Sequence, residues 1–187
     1  LFTSGTSGRS KGACLSWSNF AASALAAADP LGPAIAERWL ACMPLFHVGG
    51  LNIQTLPALH CGATVVLHAR FEPQAAIDAL ERAGVTLTVL VPAQLELLAR
   101  EERWQSADLS SLRAITTGST ISGELFVRRN LQRGVPLLQV YGATETGPLA
   151  AYQRIADAVE HFGEAVGRGG DEQGRCLARV DLGHQRR

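Results

Sequence analysis

From residue 39 to residue 141, short apolar runs rich in β-branched residues alternate with longer segments of helical period, and this alternation constrains the fold more than any other feature. The clearest unit is 73–84: Pro73 suits a first helical turn, Gly84 suits a C-terminal cap, and Ile77, Leu80 and the alanines line one face. Residues 85–91 follow as a strand. Pro92 opens a helix through about residue 102, 112–116 reads as a strand, Ser122 caps a helix closing at Gly134, and 135–141 is a further strand. Upstream, 13–17 reads as a short strand, and Ser18 or Asn19 caps an alanine-rich helix ending near Asp29-Pro30. A buried strand at 39–43 stops at Pro44, a helix from about residue 51 ends at Gly62, and 63–68 is a strand. Strands joined by helices of ten or more residues imply βαβ crossovers. The expected fold is therefore α/β, with mainly parallel sheets covered by helices. In such sheets ligands bind beyond the carboxyl ends of the strands, which singles out the loops 117–120 and 141–147.

Composition narrows the classes of partner. The 187 residues are 47% hydrophobic and 18% charged, as in a globular chain, and Lys plus Arg (17) balances Asp plus Glu (17). No net field draws such a chain to nucleic acid or to an anionic membrane. No apolar run approaches the roughly 20 residues of a membrane span, and no signal peptide is present, so the expected compartment is the cytoplasm. Cys14, Cys42, Cys61 and Cys176 form no C-x-x-C pair, which argues against zinc or redox motifs; the first three are expected to be reduced core thiols. Leu1-Phe2 reads as the end of an apolar strand feeding a loop, so the chain is expected to begin inside a domain. From Gly169 the texture turns polar without amphipathic period, an expected tail over 169–187, truncated or out of frame.

Two segments carry the strongest chemical signals. Thr3-Ser4-Gly5-Thr6-Ser7-Gly8-Arg9-Ser10-Lys11-Gly12 combines hydroxyl donors, glycines that allow close backbone approach and one mobile cation. That composition suits a phosphate cradle better than a Gly/Ser linker. It is not the common nucleotide loop, which needs glycine directly before the lysine and Ser or Thr directly after it. In Gln139-Val140-Tyr141-Gly142-Ala143-Thr144-Glu145-Thr146-Gly147 a strand ends in an aromatic, a glycine and a lone carboxylate. Tyr141 can offer a ring face to a base, Gly142 permits close backbone approach, Thr144 can donate to a phosphate, and Glu145 is a hard oxygen ligand suited to Mg2+. Taken alone, this segment reads more readily as a strand-to-loop turn with a solvated glutamate.

Together the two segments resemble the adenylate-forming superfamily, in its acyl-CoA synthetase branch. The family's phosphate loop, Tyr or Phe followed by T-S-G-T-T-G-x-P-K-G, is matched from Phe2 to Gly12 apart from Ser7 and Ser10, and Y-G-x-T-E is matched by residues 141–145. Pro44-Leu45-Phe46-His47-Val48-Gly49-Gly50 resembles the family's P-L-F-H-x-x-G segment. Thr117-Gly118-Ser119-Thr120 stands in place of its G-G-A-P turn, with only Gly118 kept. The resemblance runs to Arg168, implying a partial AMP-binding large domain over 1–168. His60, His68 and the Glu96, Glu101 and Glu102 group match no family function and read as structural or solvated.

The resemblance implies an ATP-dependent acid–CoA ligase using Mg2+ and coenzyme A. Thr3, Ser4, Gly5, Thr6, Ser7, Gly8 and Lys11 would hold the leaving phosphates, Glu145 the metal and Thr144 the α-phosphate. Tyr141, Gly142 and Gly118 would border the nucleotide, with His47 and Ser119 near the acyl end. A ribose-binding aspartate, a hinge and the small C-terminal domain with its lysine are not found in the 187 residues, so the chain alone is expected to be weakly active or inactive. The acid stays open among medium-chain, aromatic and 2-succinylbenzoate types. A peptide-synthetase adenylation domain and a non-catalytic nucleotide-binding remnant are the alternatives, the former disfavoured because 51–54 offers no aspartate.

Overall fold

The computed structural model describes residues 1–3, 9–28, 36–119, 133–156, 158 and 178–179. The chain opens with strands β1 (Phe2–Thr3) and β2 (Lys11–Gly12), then helix α1 (Trp17–Ala28) and strand β3 (Arg38–Ala41). A π-helical stretch (Gly49–Thr55) runs into α2 (Leu56–His60). There follow β4 (Thr64–Leu67), α3 (Pro73–Arg82), β5 (Leu87–Val89), α4 (Pro92–Arg100), α5 (Glu102–Ser106), β6 (Ala114–Thr117), β7 (Leu137–Gly142), β8 (Leu149–Tyr152) and β9 (Ala178–Arg179). Among the described residues, β3 to β9 form one sheet of order β4-β3-β5-β6-β7-β8-β9. Every pairing from β4 to β7 is parallel, while β8 runs antiparallel to both β7 and β9.

Both faces of the parallel part are covered, as its apolar runs require. Alternation along β3 divides the core: Leu40 packs with Ile77, Leu80, Leu95, Leu98 and Trp104 of α3, α4 and α5, whereas Trp39 packs with Leu87, Ala114, Leu138 and Ala58 on the opposite face. The 73–84 unit forms as its sequence predicts, with Pro73 in the first turn and Gly84 at a φ of 61°. At the amino end of the strands the half-buried Glu37 accepts hydrogen bonds from the Arg113 guanidinium and the Thr86 hydroxyl, tying the entries of three strands together. On the outer surface Arg103 bridges α3 and α5 through Asp78 and Glu81, and its hydrogen bond holds the Asp78 carboxyl below its ordinary range.

The structure differs from the sequence reading in several places. Residues 13–16 form no strand; the ladder instead pairs β1 with β2. Helix α1 begins at Trp17, capped by Ser16 rather than Ser18 or Asn19. The Asn19 N–H donates to Ser16 Oγ (3.2 Å) and the Ser16 N–H to Asn19 Oδ1 (2.9 Å), a reciprocal cap. The expected helix after residue 51 starts earlier and as a π-helix, and α5 and β8 are additional. Ala178–Arg179 of the expected tail pairs with β8. Residues 122–132 of the helix expected from Ser122 to Gly134 and the segment 165–168 lie outside the described residues; residues 133–134 form a turn, with Gly134 at a φ of 74°. No described helix is long and apolar enough to cross a membrane.

The cysteines also divide. Only Cys42, beyond the end of β3, is buried; Cys14 lies in the extended segment before α1 and Cys61 in the turn after α2, both exposed, and Cys176 lies outside the described residues. Burial pushes the Cys42 thiol from 9.0 up to about 12, so an unfolded chain ionises this group first and stability falls as pH rises from 9 toward 12. With a maleimide at pH 8 and peptide mass spectrometry as readout, Cys14 and Cys61 are expected to label in the native state and Cys42 only on unfolding.

Candidate functional site

The opening segment is a hairpin. Thr3 pairs with Lys11 and Phe2 with Gly12, and Leu1 and Ala13 exchange hydrogen bonds at 2.8 and 3.1 Å. Lys11 stands exposed opposite Thr3. Ser4, Gly5, Thr6, Ser7 and Gly8 lie outside the described residues. The hairpin leads through Ser16 into α1.

His47 follows the end of β3 and is exposed. Its Nδ1 accepts the Gly49 N–H at 3.0 Å, so the neutral ring carries its proton on Nε2. Glycine is required at position 50, where a Cβ would sit only 2.4 Å from the Pro44 carbonyl oxygen; at Gly49 a Cβ would make a tight 3.1 Å contact with that Nδ1.

Gly118 and Ser119 leave the end of β6 beside β7, where a Cβ on Gly118 would lie 2.6 Å from the Val140 carbonyl oxygen. Ser119 is exposed and has a φ of 77°, a backbone conformation uncommon for a residue with a side chain. Tyr141, at the end of β7, is 69% exposed, leaving its ring free to meet a planar group. The close approach at Gly142 is made by the chain itself: a Cβ there would fall 1.5 Å from the Pro148 carbonyl oxygen. Thr144–Thr146 form a single 3-10 turn closed by Gly147 at a φ of 84°, with the Ala143 N–H donating to Thr146 Oγ1 at 2.9 Å. This turn buries Thr144 and turns the Glu145 carboxylate outward.

The loops carrying His47, Gly118 and Glu145 thus follow β3, β6 and β7 at the carboxyl edge of one parallel sheet. Beneath them, on the face of Trp39, lies an apolar cavity walled by Trp39, Val89, Leu138 and Val140 of the strands, Ala27 of α1, Ile53 and Leu149, with Gln153 at its margin. Sequence reasoning missed this cavity, and it missed the buried Asn52 and Gln54 on the π-helical stretch. The available signal was two amides inside an otherwise apolar helical segment.

The family model for AMP-binding enzymes matches residues 1–171. The chain belongs to that family. It is 53% identical over 185 residues to an indoleacetate–CoA ligase of Aromatoleum aromaticum, covering 98% of this chain and 36% of that protein. A feruloyl-CoA synthase of an Amycolatopsis species is 38% identical over 165 residues, covering 88% and 34%. An o-succinylbenzoate coenzyme A synthetase from Bacillus subtilis, solved in complex with ATP and magnesium ion, superposes with a TM-score of 0.74 at 32% identity, covering 86% of this chain and 33% of that one. The chain therefore spans about a third of the length of these relatives.

The glycine contacts yield a direct check. Gly142→Ala is expected to cost about 1–3 kcal/mol or more by overpacking against Pro148. Gly12→Ala, whose Cβ would meet only the Phe2 ring at 3.8 Å, should stay within about 0.5 kcal/mol. Urea denaturation followed by circular dichroism measures both.

Proposed function

We propose that the protein is an ATP-dependent acid–CoA ligase whose acid is aromatic, an arylacetic acid or a near relative. The observation that carries this reading is the convergence of the His47, Gly118 and Glu145 segments at the carboxyl edge of the parallel sheet. The reaction has two steps. A carboxylate oxygen attacks the α-phosphorus of ATP and pyrophosphate leaves; the coenzyme A sulfur then attacks the acyl carbonyl of the adenylate and AMP leaves. Such chemistry asks for positioning and charge neutralisation more than for a protein nucleophile.

In this reading Thr3, Lys11 and the loop between them bind the β- and γ-phosphates, and Thr144 orients the α-phosphate. Tyr141 stacks on adenine beside Gly118 and Gly142. His47, with its proton on Nε2, donates toward the carboxylate end of the acid, and Ser119 lies on the same side. Glu145 suits Mg2+, because one exposed carboxylate is the kind of ligand this ion takes when phosphates and water supply the rest. When bound, the ion neutralises phosphate charge. The arylacetic class is supported by the 53% identical indoleacetate–CoA ligase; the apolar cavity walled by Trp39, Ile53 and Leu149 holds only about 20 Å³, too little by itself for an aromatic ring.

In the enzyme carrying this domain, Lys11→Ala and Glu145→Ala are each expected to slow carboxylate-dependent pyrophosphate release by about 100- to 1,000-fold with an unchanged circular dichroism spectrum. Wild-type kinetics in both variants would remove these assignments. Across a panel of acids, kcat/KM is expected to be higher for arylacetates than for medium-chain fatty acids. The 187-residue chain assayed by itself should release little pyrophosphate.

A further inference from the structure

Asn52 joins the three segments that bear the candidate site. It lies five residues beyond His47 on the π-helical stretch and is 1% exposed. Its Nδ2 donates to the carbonyl of Gly147, the residue that closes the Thr144–Thr146 turn, at 3.4 Å. Its own main-chain carbonyl accepts from the Ser23 hydroxyl of α1 at 3.3 Å, and α1 is the helix that follows the Lys11 hairpin. Gly147 in turn lies against that helix: a Cβ there would meet Asn19 Cβ at 3.7 Å.

Core stability does not account for an amide at this position. A buried amide costs free energy unless its hydrogen-bonding groups are paired, and Asn52 Oδ1 finds no partner among the described residues. A leucine has the same branched outline and no polar atoms to leave unpaired, although it is the larger residue. The turn it reaches is held by bonds local to residues 143–148: the Thr146 N–H to Ala143 at 3.0 Å, the Gly147 N–H to Thr144 at 3.3 Å, and the Thr146 hydroxyl, which accepts the Ala143 N–H and lies 2.9 Å from the Ala143 and Pro148 carbonyl oxygens. An added donor at the Gly147 carbonyl fixes the end of that turn to the helix that begins beside His47.

We propose that Asn52 is a positioning residue, holding the Thr144–Gly147 turn in register with His47 and α1 so that the Glu145 carboxylate and the His47 ring address one substrate. The proposal rests on the acid–CoA ligase reading for its kinetic consequence, but its structural consequence stands apart from that reading. The experiment compares wild type with Asn52→Leu and Asn52→Asp in the enzyme carrying this domain. Asn52→Leu should keep the wild-type circular dichroism spectrum, while adenylation kcat falls on the order of 10- to 100-fold. The Mg2+ concentration for half-maximal rate should rise, with KM for the acid nearly unchanged. Asn52→Asp, which places an acceptor where the donor stood, should be at least as slow.

Hydrogen exchange without any substrate reads the anchor directly. Amides of residues 144–147 should exchange about 5- to 10-fold faster in Asn52→Leu, the effect of one lost hydrogen bond. Unchanged exchange there overturns the proposal, as does a Leu variant with wild-type kcat and Mg2+ dependence. If wild type forms no pyrophosphate yet the exchange rates change as expected, the ligase reading fails and the anchor remains.

Discussion

Parallel pairing is the constraint on which the rest depends. Neighbouring parallel strands cannot be joined by a tight turn, so each connection must cross the sheet face as a helix and return to the same starting edge. Every loop that leaves the end of β3, β6 or β7 then opens on one edge, whatever its distance along the chain. His47, Gly118 and Glu145, separated by dozens of residues, come to a common edge because Trp39 pairs with Leu87, Leu87 with Ala114, and Ile115 with Leu137. The Glu37 cluster locks the opposite edge, leaving the carboxyl edge to the glycine-rich loops.

The edge is built at some expense to packing. Thr144 and Asn52 are buried, Asn52 Oδ1 and Trp39 Nε1 lack partners among the described residues, and Ser119 takes a positive φ. On the α3–α5 face Leu80, Leu95 and Leu98 are fully enclosed among apolar neighbours, while Arg133, over the Trp104 ring, also has a buried Nε without a partner among the described residues, and at the opposite edge Ala36 takes a φ of 59°. The antiparallel turn from β7 into β8 marks the limit of the parallel part, and the tight Gly142–Pro148 contact sets the shape of the Thr144 turn between them.

Much of this was legible in the sequence. The 73–84 helix was marked by Pro73 and Gly84 as well as by period, and the apolar strands at 39–43, 85–91, 112–116 and 135–141 were long enough to read as buried. What failed were features set by partners rather than by local pattern. Residues 13–17 have strand-like composition, but Leu1 reaches Ala13 and uses the pairing capacity of the chain earlier, leaving Ser16 to cap α1. Cys14 and Cys61 are small and apolar in character yet lie on connections that no helix covers. The β8 strand is short, and only its pairing with β7 defines it. The glycine motifs at 118 and 142 fall at strand ends, as their sequence context implied, but a motif alone did not tell that Gly142 makes room for Pro148.

The central claim is that carboxylate oxygen attacks the α-phosphorus of ATP at this edge of the sheet. Supplying the enzyme carrying this domain with an arylacetate labelled with oxygen-18 in its carboxylate, together with ATP and coenzyme A, and weighing the nucleotide product by mass spectrometry tests it most directly. One labelled oxygen in AMP is the predicted result. Unlabelled AMP, or label appearing in inorganic phosphate with ADP as the product, would contradict the account.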